Sequence, residues 1–311
     1  MSIFIGIDVG GTSSKGLALD GNGKILAENS VDTVTGDGLA DCIDALIEKL
    51  VLGAGGVYSD VAGVGVGCPG IIDSESGTVI FAANLLLNDY PLGKLLKSKT
   101  GLNIKIVNDA NAAALGEARF GAGKGTEDSL FITLGTGVGG GVVIGGKLFE
   151  GFKSAGAEIG HMVIERNGNK CTCGRRGCFE AYCSARALTK RTRDAMEDDT
   201  ASAMWKTYTY ANCNGATAFE YMDSDVAARK VVDWYLEHLT CGITNLCNIF
   251  RPQRVLLGGG VAAQGTRLTA PLQKMVDKEI FGGTDYAPVD IVCASLGNRA
   301  GAYGAAALFM K

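Results

Sequence analysis

The chain has 311 residues, 47% hydrophobic and 20% charged, with a formal net charge of −4. That profile fits a globular protein large enough for two cores, and it carries no basic footprint for nucleic acid. No apolar run is long enough to span a bilayer, and MSIFIGIDVGG opens directly on a strand without a leader-like segment, so the chain reads as cytoplasmic with no membrane partner.

Residues 3–26 read as strand, glycine turn, strand, Gly-Asn-Gly turn, strand. Residues 130–149 repeat that plan with LFITL, GTGVGGGVVI and KLF, which suggests two similar sheet domains. Leu39, Cys42, Ile43, Leu46, Ile47 and Leu50 fall at helical spacing. VAGVGVG (61–67) and IKIVND (104–109) read as strands, and DANAAALGEARF opens a helix with Asp109 near its N-cap position. Beyond these, 225–250 is a long helix, 254–257 a strand, 268–279 a helix, 289–293 a strand and 299–310 a final helix. Only loose helices are expected over 194–223. Strands alternating with helices define an α/β class.

Many of the 46 glycines sit at strand ends, where backbone must turn sharply and approach a ligand closely. In Asp8-Val9-Gly10-Gly11-Thr12 a carboxylate precedes a bend whose N–H groups suit phosphate oxygens, with Asp8 holding Mg²⁺ through water. Gly135-Thr136-Gly137 offers a second such bend, and Gly258-Gly259-Gly260 a third for the base or ribose. Together they indicate a nucleotide, while the Walker and dinucleotide spacings are both missing. Asp109, at the edge of a strand and rooted in a helix start, is placed to accept a proton from an alcohol. Asn84 and Asn108 supply amides suited to sugar hydroxyls.

The segment from Gly156 to Glu180 brings His161, Cys171, Cys173 and Cys178 within eighteen positions. Three thiolates and an imidazole close a tetrahedral Zn²⁺ site with no position left for water, which makes the metal structural. A zinc-bound His161 would direct its other ring nitrogen outward as a fixed donor, with Glu158 and Glu180 accepting from ligand hydroxyls. The remaining cysteines read as reduced, mostly small buried hydrophobes.

DVGGT, GCPG (67–70), NDANAAALGE (108–117), LGTGVGGG (134–141), AEIGH (157–161), CTCGRRGCFE (171–180) and LLGGGV (256–261) resemble, in order, the ROK family of bacterial sugar kinases. The likeness runs from residue 3 to about residue 304, and the zinc loop after E-x-G-H is its most specific part. It implies an actin-like, ribonuclease-H-like ATPase fold whose two domains close a central cleft over ATP and a hexose. The expected domains are 1–115 plus 298–311, binding sugar and phosphate, and 116–297, carrying the zinc loop. By the same likeness Asp109 is the base for the sugar 6-hydroxyl, and Gly70, Asn84, Asn108, Glu158, His161 and Glu180 line the sugar pocket. Gly11, Thr12, Thr136, Gly137 and Gly259 would meet ATP, together with Asp8 and Gly10, and a homodimer is implied.

Ile71 and Ala83 stand where N-acetylmannosamine kinases tend to carry Arg and Thr, and the run 82–85 looks like the glucokinase form. Leu87 and Tyr90 occupy the neighbourhood where many glucokinases place a tryptophan. Glucose is the expected acceptor, with N-acetylmannosamine, mannose or fructose as alternatives. ROK repressors carry a DNA-binding domain ahead of the first strand; with Ile3 already in a strand, that reading is disfavoured.

Overall fold

The computed structural model describes residues 2–310, which divide into two compact units. The first comprises Met1–Glu127, Gly141–Ala157 and Ser295–Lys311; the second comprises Asp128–Gly140 and Glu158–Ala294.

In the first unit β1 (Ile3–Val9), β2 (Ser13–Leu19) and β3 (Ile25–Asp32) form an antiparallel meander, followed by α1 (Leu39–Gly53) and β4 (Val61–Cys68). A small sheet of β5 (Ile71–Asp73), β6 (Thr78–Ala82) and β7 (Leu87–Tyr90) comes next, then α2 (Leu92–Thr100), β8 (Ile104–Asn108) and α3 (Asp109–Phe120). The main sheet is ordered β3-β2-β1-β4-β8, with β1, β4 and β8 parallel. Ile3, Ile5, Ile7 and Val9 alternate onto one face, where they join a core with Leu39, Ile43, Leu46, Ile47 and Leu50 of α1.

The second five-stranded sheet is ordered β11-β10-β9-β12-β13, from β9 (Ser129–Leu134), β10 (Val138–Ile144), β11 (Lys147–Phe149), β12 (Arg254–Gly258) and β13 (Asp290–Cys293). Its plan repeats that of the first sheet, a hairpin at one edge and parallel strands at the other. The second unit's helices are α4 (Glu180–Cys183), α5 (Ala185–Asp198), α6 (Thr217–Tyr221), α7 (Val226–Phe250) and α8 (Thr266–Glu279). Among the described residues, no helix is long and apolar enough to cross a membrane.

The last helix, α9 (Ala300–Ala307), returns to the first unit and lies on the other face of its sheet. Its sequence AGAYGAAA has almost no side chain to bury, and the contact is backbone on backbone. A Cβ on Gly6 would stand 1.8 Å from Ala302 O, one on Gly65 1.9 Å from Ala305 O, and one on Gly304 1.6 Å from Ala112 O. Gly116 of α3 meets α9 in the same way, 2.2 Å from Ala300 O. These mid-element glycines correct the expectation that the glycines chiefly serve ligand bends: several are there so that helices and strands can touch.

Asp109 lies, as expected, next to the N-cap of α3, which is Asn108. Asn108 Oδ1 accepts from Ala110 N and Asn111 N, while Asp109 is the first helical residue.

Gly304→Ala is expected to destabilise the protein by about 3 kcal/mol through overpacking against a carbonyl that cannot yield. Gly21→Ala, with no atom within 4 Å of the added carbon, should stay within about 0.5 kcal/mol. Urea denaturation of the two variants reads the difference.

Candidate active site

In the first unit, parallel register brings the chemistry to one sheet edge. Asp8 pairs with Gly67, and the next rung joins Cys68 to Asn108. Asp8 and Asp109 therefore stand at the carboxyl ends of β1 and β8, with Gly67 of β4 between them. Without a side chain there, Gly67 lets α3 come close: a Cβ on it would lie 3.7 Å from Asp109 Cα and 3.1 Å from Ala112 Cβ.

Both carboxylates are half-buried. Burial first, and then the charge of Asp109, pushes Asp8 up to about 6, with Lys15 pulling the other way. Asp109 is also raised by burial, partly offset by the N–H of Ala110, which its Oδ1 accepts at 2.9 Å. Burial and the two acids push Cys68 up to about 12, so it is a neutral thiol and no nucleophile.

The bend after β1 is braced by a residue the sequence did not single out. Thr33 donates its hydroxyl to Gly10 O at 2.8 Å and its N–H to Thr12 O at 2.9 Å, and Gly10 N closes the turn on Ser13 O. Gly11 and Thr12 are exposed at its tip, where Asn84 Nδ2 would be 3.8 Å from a Cβ on Gly11. Gly70 has φ +107°, and a side chain there would strike Phe81 O at 2.2 Å. Its carbonyl accepts from Asn108 Nδ2 at 3.1 Å. Structure thus draws Asp8, Gly10, Gly11, Thr12, Gly70, Asn84, Asn108 and Asp109 to one region of this unit. Gly301 of α9 belongs to it too, since a Cβ there would be 2.6 Å from Asp8 Cγ. A glycine inside an alanine-rich helix was the only sequence signal for it.

In the second unit, β9 and β12 run parallel with Thr133 beside Gly258, which puts the bends 135–137 and 258–260 next to each other. Gly259 has φ +80° and packs on the Leu134 backbone, 2.6 Å from where its Cβ would be. The first bend closes through Gly135 N on Gly137 O and is tied to α5 by Ala185 N on Gly135 O. Thr136 is at its tip.

The metal-ligand set lies in this unit as well. One donor atom from each of His161, Cys171, Cys173 and Cys178 falls within 4.8 Å of the others. Cys171 Sγ is 3.7 Å from His161 Nδ1, and Cys173 Sγ is 3.7 Å from Cys178 Sγ. A zinc–sulfur bond of about 2.3 Å implies tetrahedral edges near 3.8 Å, so the spacing fits a tetrahedral ion. Cys171 N on Arg175 O and Gly174 N on Cys171 O tighten the loop, while Tyr182 Oη accepts from Asn169 N at 2.8 Å. With Nδ1 turned to the sulfurs, Nε2 is the ring nitrogen left to face a ligand. Glu158 is exposed at the N-cap of the short 3-10 turn that carries His161.

Both carboxylate oxygens of Glu180 are engaged within the unit. Its Oε2 accepts from Val138 N at 3.1 Å, and its Oε1 accepts from Thr172 Oγ1 at 3.1 Å.

A model of the ROK family matches residues 4–311, and the chain belongs to that family. It is 35% identical to a glucokinase of Streptomyces coelicolor over 99% of this chain and 98% of that protein. It is 31% identical to a xylose repressor of Caldicellulosiruptor bescii, covering 99% of this chain and 78% of that one. Among solved structures, a ROK glucokinase of Streptomyces griseus in complex with glucose and AMPPNP superposes with a TM-score of 0.78 at 35% identity, covering 99% of both chains. The fold is accordingly that of the actin-like ATPases.

Stability carries a signature of Asp8. Because the folded state holds its proton up to about 6, above the ordinary carboxylate range, the folded form binds more protons between about pH 4 and 6. Ionised Asp8 therefore costs stability above pH 6, on the order of 2 kcal/mol after solvent screening, and the cost fades as the acid protonates. Asp8→Asn should raise Tm at pH 7.5 and lose that advantage near pH 4, measured by thermal melts of both proteins across that range.

Proposed function

We propose that this protein is an ATP-dependent sugar kinase that transfers the γ-phosphate to the 6-hydroxyl of glucose. Full-length likeness to glucokinases supports the reaction, and the observation that carries the mechanism is the position of Asp109. It is a half-buried carboxylate of raised basicity, fixed by the first turn of α3 at a sheet edge shared with the Asp8 bend.

Asp109 accepts the O6 proton as O6 forms its bond to the γ-phosphorus and the bond from that phosphorus to the leaving ADP oxygen breaks. Gly70 through its backbone, Asn84, Asn108, Glu158, His161 and Glu180 orient the hexose. Gly10, Gly11, Thr12, Thr136, Gly137 and Gly259 bind ATP, their N–H groups and hydroxyls meeting phosphate oxygens and ribose. Asp8 would hold, through water, the Mg²⁺ that accompanies ATP, and that ion would neutralise phosphate charge. His161, Cys171, Cys173 and Cys178 would hold a structural Zn²⁺, which would fix the imidazole and leave Nε2–H to donate to a sugar oxygen. In this reading 1–115 with 298–311 is the sugar- and phosphate-binding domain and 116–297 the larger domain with the zinc loop, in a cytoplasmic homodimer.

Asp109→Asn should lower kcat by at least a hundredfold while leaving glucose binding by calorimetry within about threefold. A variant keeping a tenth of wild-type turnover rules out Asp109 as the base. An ADP-release assay over glucose, mannose, fructose and N-acetylmannosamine tests the choice of sugar, with glucose expected to give the highest kcat/KM. Elemental analysis should return one zinc per chain, and Cys178→Ser should lower that content together with Tm.

A further inference from the structure

Glu180 joins two parts of the second unit that the mechanism treats as separate. One carboxylate oxygen receives the N–H of Val138, the residue that follows the Gly135–Gly137 bend; the other receives the hydroxyl of Thr172, between the metal ligands Cys171 and Cys173. The carboxylate lies close against the bend: a Cβ on Gly137 would stand 2.3 Å from Glu180 Oε2 and would have to push it aside. Glu180 lines a cavity of about 720 Å³ together with Ser184, Lys190 and Trp234, and its oxygens are held by these two hydrogen bonds and by Cys171 Sγ, 3.8 Å from Oε1. Its backbone is anchored independently, with its carbonyl accepting from Ser184 N at the start of α5.

We propose that Glu180 is a positioning residue for the nucleotide: it braces the phosphate bend against the metal loop, so that an ordered metal loop is a condition for tight ATP binding. This inference rests on the kinase reading, in which 135–137 meets ATP. It predicts an effect that a sugar ligand would not have, a change in nucleotide affinity when no sugar is present.

The experiment is calorimetric titration of the zinc-loaded protein with Mg-ADP in the absence of sugar. Glu180→Ala should weaken binding about tenfold. Glu180→Gln, whose amide can still accept from Val138 N and donate to Thr172 Oγ1, should stay within threefold of wild type. Thr172→Val, a milder cut on the metal-loop side, should weaken binding about threefold and covers the case in which Glu180→Ala fails to fold. Stripping zinc with a chelator should weaken wild type but add little to Glu180→Ala, because both break the same brace. Unchanged Mg-ADP affinity in folded Glu180→Ala, or in Thr172→Val where the alanine variant does not fold, overturns the proposal. A wild-type protein that binds no Mg-ADP overturns the kinase reading instead.

Discussion

The fit of α9 against β1, β4 and α3 is the constraint on which the first unit depends. Ordinary helix packing keeps axes 8–10 Å apart because side chains fill the gap. Here Gly6, Gly65, Gly116 and Gly304 remove those side chains, and carbonyl oxygens of one element occupy the space where a Cβ of the next would be. Dispersion contacts between bare backbones fall off steeply with separation, so the arrangement tolerates little drift. Asp8 and Asp109 are on elements clamped by this contact, one on β1 and the other at the start of α3. The geometry of the acids is therefore inherited from a helix near the end of the chain that contributes no chemistry of its own.

Parallel pairing supplies the rest of the order. Because β1, β4 and β8 all run the same way, their carboxyl ends lie at one edge, and the residues following them emerge side by side. Burial disfavours ionisation of both carboxylates at this edge, and the charge of Asp109 adds to it at Asp8. In the second sheet β9 and β12 do the same for two glycine bends. One construction, used twice, brings two acids and a glycine bend together in one unit and two glycine bends together in the other.

Much of this was legible in the sequence where the signal is local. Alternation in IFIGIDV, helical spacing from Leu39 to Leu50, and the Cys-His spacing each report on residues that are neighbours along the chain. The sheet of β5, β6 and β7 was not legible: its strands have three to five residues, too short for a period-2 pattern to stand out. Neither was the capping residue of α3, since Asn108 and Asp109 are equally good caps in isolation and only the backbone of Asn108, extended at ψ 144°, decides between them. The double engagement of Glu180 was hidden for a different reason. Val138 is 42 positions away, and nothing in the composition of either segment marks them as partners.

Asn108 shows how little choice such a position has. Its carboxamide oxygen holds the first turn of α3, and its nitrogen holds the carbonyl of Gly70 on a neighbouring loop. Aspartate would serve the helix but set a negative oxygen against that carbonyl, and serine would be too short to reach both. Spontaneous loss of the amide nitrogen, a common fate of ageing asparagine, would then undo the loop while sparing the helix. The slow chemistry of a single side chain would become a clock on the lifetime of the site.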